Sequence, residues 1–332
     1  MQGEGRRGKP MGETSEDPNH VVFSVPADHS GTMLHVEGWI NDTSDKPPLI
    51  LVHDLGEFAH KYQEVALAFR AQGYDVYGLD VRGHGDSGKR LGHIPRFQAL
   101  VNDLLQVVAW VKHKKEKKPV LIGQGLGALI GVYFLRAYRN YLKGAVLASI
   151  PLNLKTPVSR FGEFMIRSIA EVAPTMRLPA ALCPQFSVDV CGEGIFQKSM
   201  YVAGLTERKP PRISANFAKE LLRAIGRSKV VFRQIASPTL ILWPSEDTIC
   251  DRKDLEEVLQ DHPHRELIEV VNLPDVGHGI FTESEEARKA AMEASLRWLE
   301  ALPAVKGPGE AAVSHMESLA VSKLPGADPL EW

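Results

Sequence analysis

Between about residue 21 and residue 302 two kinds of segment alternate, and that alternation limits the available folds more than any other feature of the chain. Short, largely apolar runs at 48–53, 74–80, 120–122, 144–149, 239–243 and 267–271 read as strands, and those at 48–53, 144–149 and 239–243 have the composition of strands buried on both faces. Between them, apolar residues at three- and four-residue spacing predict helices at 61–72 (closed by Gly73), 95–115 (opened by Pro95), 128–138, 252–260 and 284–302. The longest carries Phe97, Leu100, Val101, Leu104, Val107, Val108 and Val111 on one face. Ahead of these units, 21–25 and 33–40 read as a β-hairpin. The pattern predicts an α/β protein with a mostly parallel central sheet and helices on both faces.

The alternation stops between 151 and 234, where the sequence is mainly helical, rich in proline and without a clear buried strand. An insertion at this point predicts a helical cap over the carboxyl edge of the sheet, where open α/β sheets bind their ligands. The expected organisation is a core of 20–150 with 235–302, a cap or lid of 151–234, a disordered extension over 1–19 and a flexible tail over 303–332.

Composition excludes several classes of function. The net charge of −2 gives no overall field that would draw the chain to nucleic acid or to an anionic membrane. The basic run 112–118 ends a predicted helix, where cations offset the helix dipole and face solvent. Cys183, Cys191 and Cys250 are odd in number and form no CxxC pair, which suits a reducing compartment. The first ~20 residues are polar, and no apolar run approaches the ~18–20 residues that span a bilayer. A soluble, cytoplasmic protein is expected. No His, Cys or acidic residues stand at metal-ligand spacing, so neither metal nor cofactor is expected.

Chemistry concentrates in three places. The turn Gly123-Gln124-Gly125-Leu126-Gly127 lies between a predicted strand and helix. It has the frame of a G-x-S-x-G nucleophile elbow, in which flanking glycines permit a turn too tight for side chains; only the central hydroxyl is missing. Downstream, Asp247 follows a buried strand and His278 follows the last strand. The order nucleophile position, acid, histidine is that of an acyl-transfer triad, in which the acid orients the imidazole and the imidazole takes the nucleophile's proton. Gly123-x-Gly125-x-x-Ala128 also fits a dinucleotide fingerprint, but the following strand ends Leu147-Ala148-Ser149-Ile150, without the acid that would bind ribose.

With His53-Asp54-Leu55-Gly56-Glu57, Tyr62, the loop Asp80-Val81-Arg82-Gly83-His84-Gly85-Asp86-Ser87-Gly88, residues 244–247 and Gly277-His278, the chain resembles the monoacylglycerol-lipase and lysophospholipase-like branch of the α/β-hydrolases. The resemblance spans about residues 21–302 and implies the α/β-hydrolase fold. It implies Asp247 and His278 as triad members, and the N–H groups of Leu55 and Leu126 as oxyanion donors. The chain departs from the family pattern twice. Gly125 stands where the family has serine, and Asp54 stands where it has glycine, placing a carboxylate beside a hole that must stabilise negative charge. Loss of a triad serine removes on the order of a millionfold in turnover.

Other groups are weaker candidates for the missing nucleophile. Ser87 is expected to bond backbone and Cys250 to be a semi-buried structural thiol, whereas Asp54, or His278 with Asp247, could support chemistry without serine. In the cap, Phe161, Phe164, Met165, Ile169 and Val172 recur at helical spacing beside Arg160, Arg167 and Arg177. They read either as a helix packed over the core or as a lid that lines an acyl pocket or touches a membrane surface. Three functional readings stay open: a serine-free hydrolase frame that binds a small apolar or lipid-like ligand, an active enzyme of altered mechanism, and a protein-interaction module.

Overall fold

A computed structural model describes residues 17–27, 31–41, 43–179 and 212–302. Expectations about the outer termini, Cys183, Cys191 and the middle of the cap segment concern residues outside this set.

Eight strands form one sheet: β1 (His20–Pro26), β2 (Met33–Trp39), β3 (Leu49–Val52), β4 (Val76–Leu79), β5 (Val120–Gln124), β6 (Gly144–Ala148), β7 (Thr239–Pro244) and β8 (Ile268–Leu273). Their order across the sheet is β1-β2-β4-β3-β5-β6-β7-β8. β2 is antiparallel to β1 and β4, and every pair from β4 through β8 is parallel. The central strands β3 to β7 are buried along their whole length, as their uninterrupted apolar runs require.

Two cores flank the sheet. On one face pack α2 (Phe97–Lys115), α3 (Leu126–Tyr138), α5 (Ala215–Phe232) and α6 (Arg252–Gln260). On the other pack α1 (Gln63–Ala71) and α7 (Glu285–Ala301), with Phe69, Trp298 and Leu299 against β-strand residues such as Val120 and Leu240. α4 (Arg160–Val172) and α5 lie in sequence between β6 and β7 and pack on each other. No described helix is long and apolar enough to cross a membrane.

Two helix starts differ from the sequence reading. Pro95 does not open α2, because Arg96 is extended (φ −151°, ψ 155°) and the helix begins at Phe97. The Phe97 N–H is satisfied by the Glu220 carboxylate on α5 at 3.1 Å rather than by a local cap. α3 begins two residues before the expected position 128, at Leu126, because the tight turn is spent by Gly125 alone.

The Gly-rich loop after β4 is built around two buried acids. Asp80 accepts from the backbone N–H of Ala59 (2.6 Å) and of Asp86 (2.8 Å). Asp103 on α2 takes a two-pronged bond from Arg82, at 2.7 Å from Nε and 2.6 Å from the terminal nitrogen. Ser87 bonds backbone, as its loop position predicts: its hydroxyl accepts from the His35 N–H at 2.8 Å.

Candidate functional site

At the end of β5 the chain turns in a single residue. Gly125 has φ +53° and ψ −110°, a conformation that strains any residue with a Cβ. Its N–H donates to the Ala148 carbonyl (3.0 Å), and its own carbonyl accepts from Leu129 (2.9 Å), closing the first turn of α3. The flanking glycines are required by space: a Cβ on Gly127 would stand 2.1 Å from the Val52 carbonyl oxygen, and one on Gly123 would stand 2.6 Å from the Gly127 carbonyl. The turn therefore has elbow geometry as well as an elbow sequence.

Asp54 follows β3 directly, in a loop fixed by its neighbours. His53 donates from Nδ1 to the Asp54 carbonyl (2.7 Å), and its Nε2 accepts from Val81 N–H (2.9 Å), which sets the tautomer. Glu57 accepts from Asp54 N–H (3.2 Å) and from the Tyr62 hydroxyl (2.5 Å), and it also pairs with Lys61.

So held, the Asp54 side chain reaches across to the elbow. Its Oδ1 accepts from the N–H of Leu55 at 2.6 Å and of Leu126 at 2.7 Å. Its Oδ2 lies 3.1 Å from His278 Nε2. A Cβ added to Gly125 would fall 1.9 Å from Oδ1 and 2.1 Å from Cγ of Asp54. The carboxylate thus fills the space in which a side chain at 125 would begin. The glycine at 125 and the aspartate at 54, two departures in sequence, are sterically one.

His278 sits in the loop between β8 and α7. Its carbonyl accepts from the Ser149 hydroxyl (2.7 Å), and the loop is pinned three residues on, where Phe281 N–H donates to Gln124 Oε1 (2.9 Å). Nδ1 faces the Asp247 carboxylate at 2.9 and 3.1 Å. Asp247 is itself oriented by the N–H groups of Ile249 (2.8 Å) and Cys250 (2.9 Å).

Burial disfavours a charged imidazole here, but the hydrogen bonds to Asp247 and Asp54 favour it, and the balance raises the His278 pKa above its ordinary value. Burial likewise opposes ionisation of Asp247, and the His278 bond and charge with the two backbone N–H groups overcome it, so its pKa is lowered. Each ring nitrogen thus faces a carboxyl group, Nδ1 that of Asp247 and Nε2 that of Asp54, an arrangement that favours the protonated ring. A triad histidine takes its proton as the neutral imidazole, the form that a second carboxyl group at Nε2 disfavours.

Cys250 lies 3.8 Å from His278 Nδ1, and burial pushes its thiol up to about 12. It is a protonated, structural thiol, fully rather than partly buried. Asp247, Cys250 and His278 each offer one ligand atom within 4.8 Å of the others.

The structure brings Asp54, Leu55, Gly125, Leu126, Asp247 and His278 into one site. Sequence reasoning missed Gln124 and Ser149, which anchor the His278 loop. A polar residue ending the otherwise apolar β5 was the available signal for Gln124; Ser149, with φ +52° at the end of β6, gave none.

Comparison with known proteins agrees with this frame. Residues 43–285 match the family described as serine aminopeptidase, S33. A monoglyceride lipase homolog of monkeypox virus is 26% identical over 281 residues, covering 84% of this chain and 97% of the relative. The monoglyceride lipase of Rattus norvegicus is 25% identical over 292 residues, covering 80% and 90%. Among solved structures, a soluble variant of the Saccharomyces cerevisiae monoglyceride lipase in complex with a substrate analog superposes with a TM-score of 0.71 at 16% identity, over 90% of this chain and 100% of that one. The Paleococcus ferrophilus monoacylglycerol lipase gives a TM-score of 0.66 at 20% identity, over 81% and 99%. By sequence pattern, sheet order and family match, the chain belongs to the serine aminopeptidase S33 family, in the monoglyceride-lipase-like branch of the α/β-hydrolases.

Proposed function

We propose that this protein keeps the lipase frame as a binder of a small apolar or lipid-like acyl ligand and does not hydrolyse esters by a serine mechanism. One observation carries the reading: the Asp54 carboxylate lies on the Leu55 and Leu126 N–H groups and in the space of a side chain at 125. On this reading Gly125 marks the nucleophile position, Asp247 and His278 are the former acid and base, and the two N–H groups are the former oxyanion donors. A carboxylate already there meets their hydrogen-bonding capacity, and its charge opposes any oxyanion forming beside it. The ligand class rests on the lipase relatives and on the cap, taken as 151–234 over the core of 20–150 and 235–302.

α4 of that cap turns Gly162, Ile166 and Ala170 inward and leaves Phe161 and Phe164 71% and 64% exposed. The proposal takes these rings as a peripheral contact with a lipid surface, reached from the cytoplasm. Labelling with a fluorophosphonate probe, together with calorimetry against a non-hydrolysable ether analogue of a monoacylglycerol, tests the reading. No covalent adduct and saturable binding are expected. Covalent labelling of the unmodified protein overturns the loss of the serine mechanism, and absence of binding overturns the ligand in favour of an interaction module.

A second reading is favoured by the 3.1 Å approach of Asp54 Oδ2 to His278 Nε2. A carboxylate with one oxygen on the Leu55 and Leu126 N–H groups and the other on His278 Nε2 could use that second oxygen to displace a leaving group at a saturated, electrophilic carbon. The C–O bond would form as the leaving group departs with its electron pair. His278 would give its proton to the departing group, lose one anionic neighbour as the uncharged ester forms, and then, as the neutral ring, take a proton from the water that attacks Cγ. That water releases the alcohol and restores the Asp54 carboxylate. Intact mass spectrometry of His278→Gln after exposure to a terminal epoxide should show one trapped adduct on Asp54. An unmodified Asp54, or equal turnover by wild type and His278→Ala, removes this reading.

A further inference from the structure

The geometry points to a zinc site, formed by His20, Glu37 and His60, on the edge hairpin of the sheet and apart from the candidate active site. Cross-strand pairing of His20 with Trp39, Val22 with Glu37 and Ser24 with His35 puts His20, His35, Glu37 and Trp39 on one face of that hairpin. The 3-10 turn Ala59–Tyr62 lays His60 over the same face. The ligands come from positions 17 and 23 residues from Glu37, which is why no local metal spacing announces them.

Glu37 is 6% exposed, and its Oε2 receives both His20 Nε2 at 2.8 Å and His60 Nδ1 at 2.7 Å. His35 Nε2 stands 3.5 Å from the other carboxylate oxygen. Three imidazoles thus converge on one buried carboxyl group. One ligand atom from each of His20, Glu37 and His60 lies within 4.8 Å of the others.

Two imidazoles and one carboxylate are a donor set that tetrahedral zinc accepts, with a fourth position left for another ligand. Bonds of ~2.0–2.2 Å put tetrahedral ligand atoms about 3.3–3.6 Å apart. The Glu37 oxygen would therefore have to draw back by roughly half an ångström from each imidazole, a small rotation of a flexible side chain. His35 Nε2 or a water would complete the tetrahedron. Imidazole nitrogens coordinate when neutral, so zinc would take the place of the protons now shared with Glu37.

The role of such an ion would be structural. It would tie the β1–β2 hairpin to the turn that follows Glu57, the residue that accepts from Asp54 N–H. This inference does not depend on the function proposed above.

Full-length protein stripped with a chelator should be titrated with zinc chloride by calorimetry and, separately, with cobalt(II) by absorption spectroscopy. One equivalent of zinc should bind, the visible bands of four-coordinate cobalt should appear, and the melting temperature should rise with zinc. His20→Ala and His60→Ala should each weaken zinc binding by at least about tenfold. His264→Ala, at an exposed histidine paired with Glu266, serves as the control and should bind like wild type. Circular dichroism of the metal-free variants confirms that they fold. Absence of saturable zinc uptake by the stripped wild type, or zinc affinity unchanged in both His20→Ala and His60→Ala, would overturn the site.

Discussion

Replacing Gly125 by serine should fail to rebuild a serine hydrolase unless Asp54 is removed as well. The backbone at 125, with φ +53° and ψ −110°, strains a residue with a Cβ by about 1–3 kcal/mol. The larger effect is collision, because the new Cβ would stand 1.9 Å from Asp54 Oδ1 and must expel that carboxylate. Expulsion forfeits the bonds from Leu55 and Leu126 N–H, at about 1.5–3 kcal/mol for each bond to a charged group. Gly125→Ser alone should thus lose roughly 4–9 kcal/mol, a large share of the ~5–15 kcal/mol of a typical domain.

Asp54→Gly loses the same two bonds without the collision. The double variant loses them once, so its destabilisation should fall short of the sum of the singles by roughly 3–6 kcal/mol. Denaturant unfolding of the four proteins measures this coupling. Fluorophosphonate labelling and hydrolysis of a short-chain p-nitrophenyl ester measure function, which should appear only in the double variant, where His278 no longer faces a second carboxylate. Additivity within ~0.5 kcal/mol, or labelling of the single Gly125→Ser as fast as of the double, would refute the steric coupling.

Three further outcomes are expected. The folded-state pKa of His278 is raised, so its stabilising contribution is complete below the unfolded value of ~6.5 and is lost as pH rises through the folded value. Melting temperatures followed from neutral to alkaline pH should therefore fall more steeply for wild type than for His278→Gln, and parallel curves would contradict the assignment. Asp103→Ala should cost about 3–5 kcal/mol in urea unfolding by removing both prongs of its bond with buried Arg82, while Arg82→Leu with Asp103→Leu should recover most of that loss. Exchange of both Phe161 and Phe164 for aspartate should weaken co-sedimentation with phosphatidylcholine vesicles and leave stability within ~0.5 kcal/mol, since both rings are already in water.

The sheet was legible from sequence because its central strands are buried on both faces and so read as unbroken apolar runs. The pairing of Asp247 with His278 was legible because each follows a strand in the order the elbow demands. What could not be read was reach. The position of Asp54 next to Leu55 announces a charge near the N–H groups, but not that its oxygen sits on them and under Gly125. The Glu37 cluster escaped notice for a similar reason, since strand register and a 3-10 turn, rather than local spacing, bring its histidines together. In α4 the helical period was plain, yet the inward face belongs to Gly162, Ile166 and Ala170 rather than to the larger Phe161, Phe164 and Val172.

The contact between residues 54 and 125 also orders the routes by which such a site can change. Of the four combinations of glycine or aspartate at 54 with serine or glycine at 125, only aspartate with serine puts a Cβ inside a carboxylate held as it is here. Single substitutions can therefore connect a serine-bearing site to the present pair only through a chain with glycine at both positions, its N–H pair open to water. Once Asp54 has closed that pair, a lone reversion at 125 meets the carboxylate first. The two residues act as a ratchet on sequence change, passable in one order and blocked in the other.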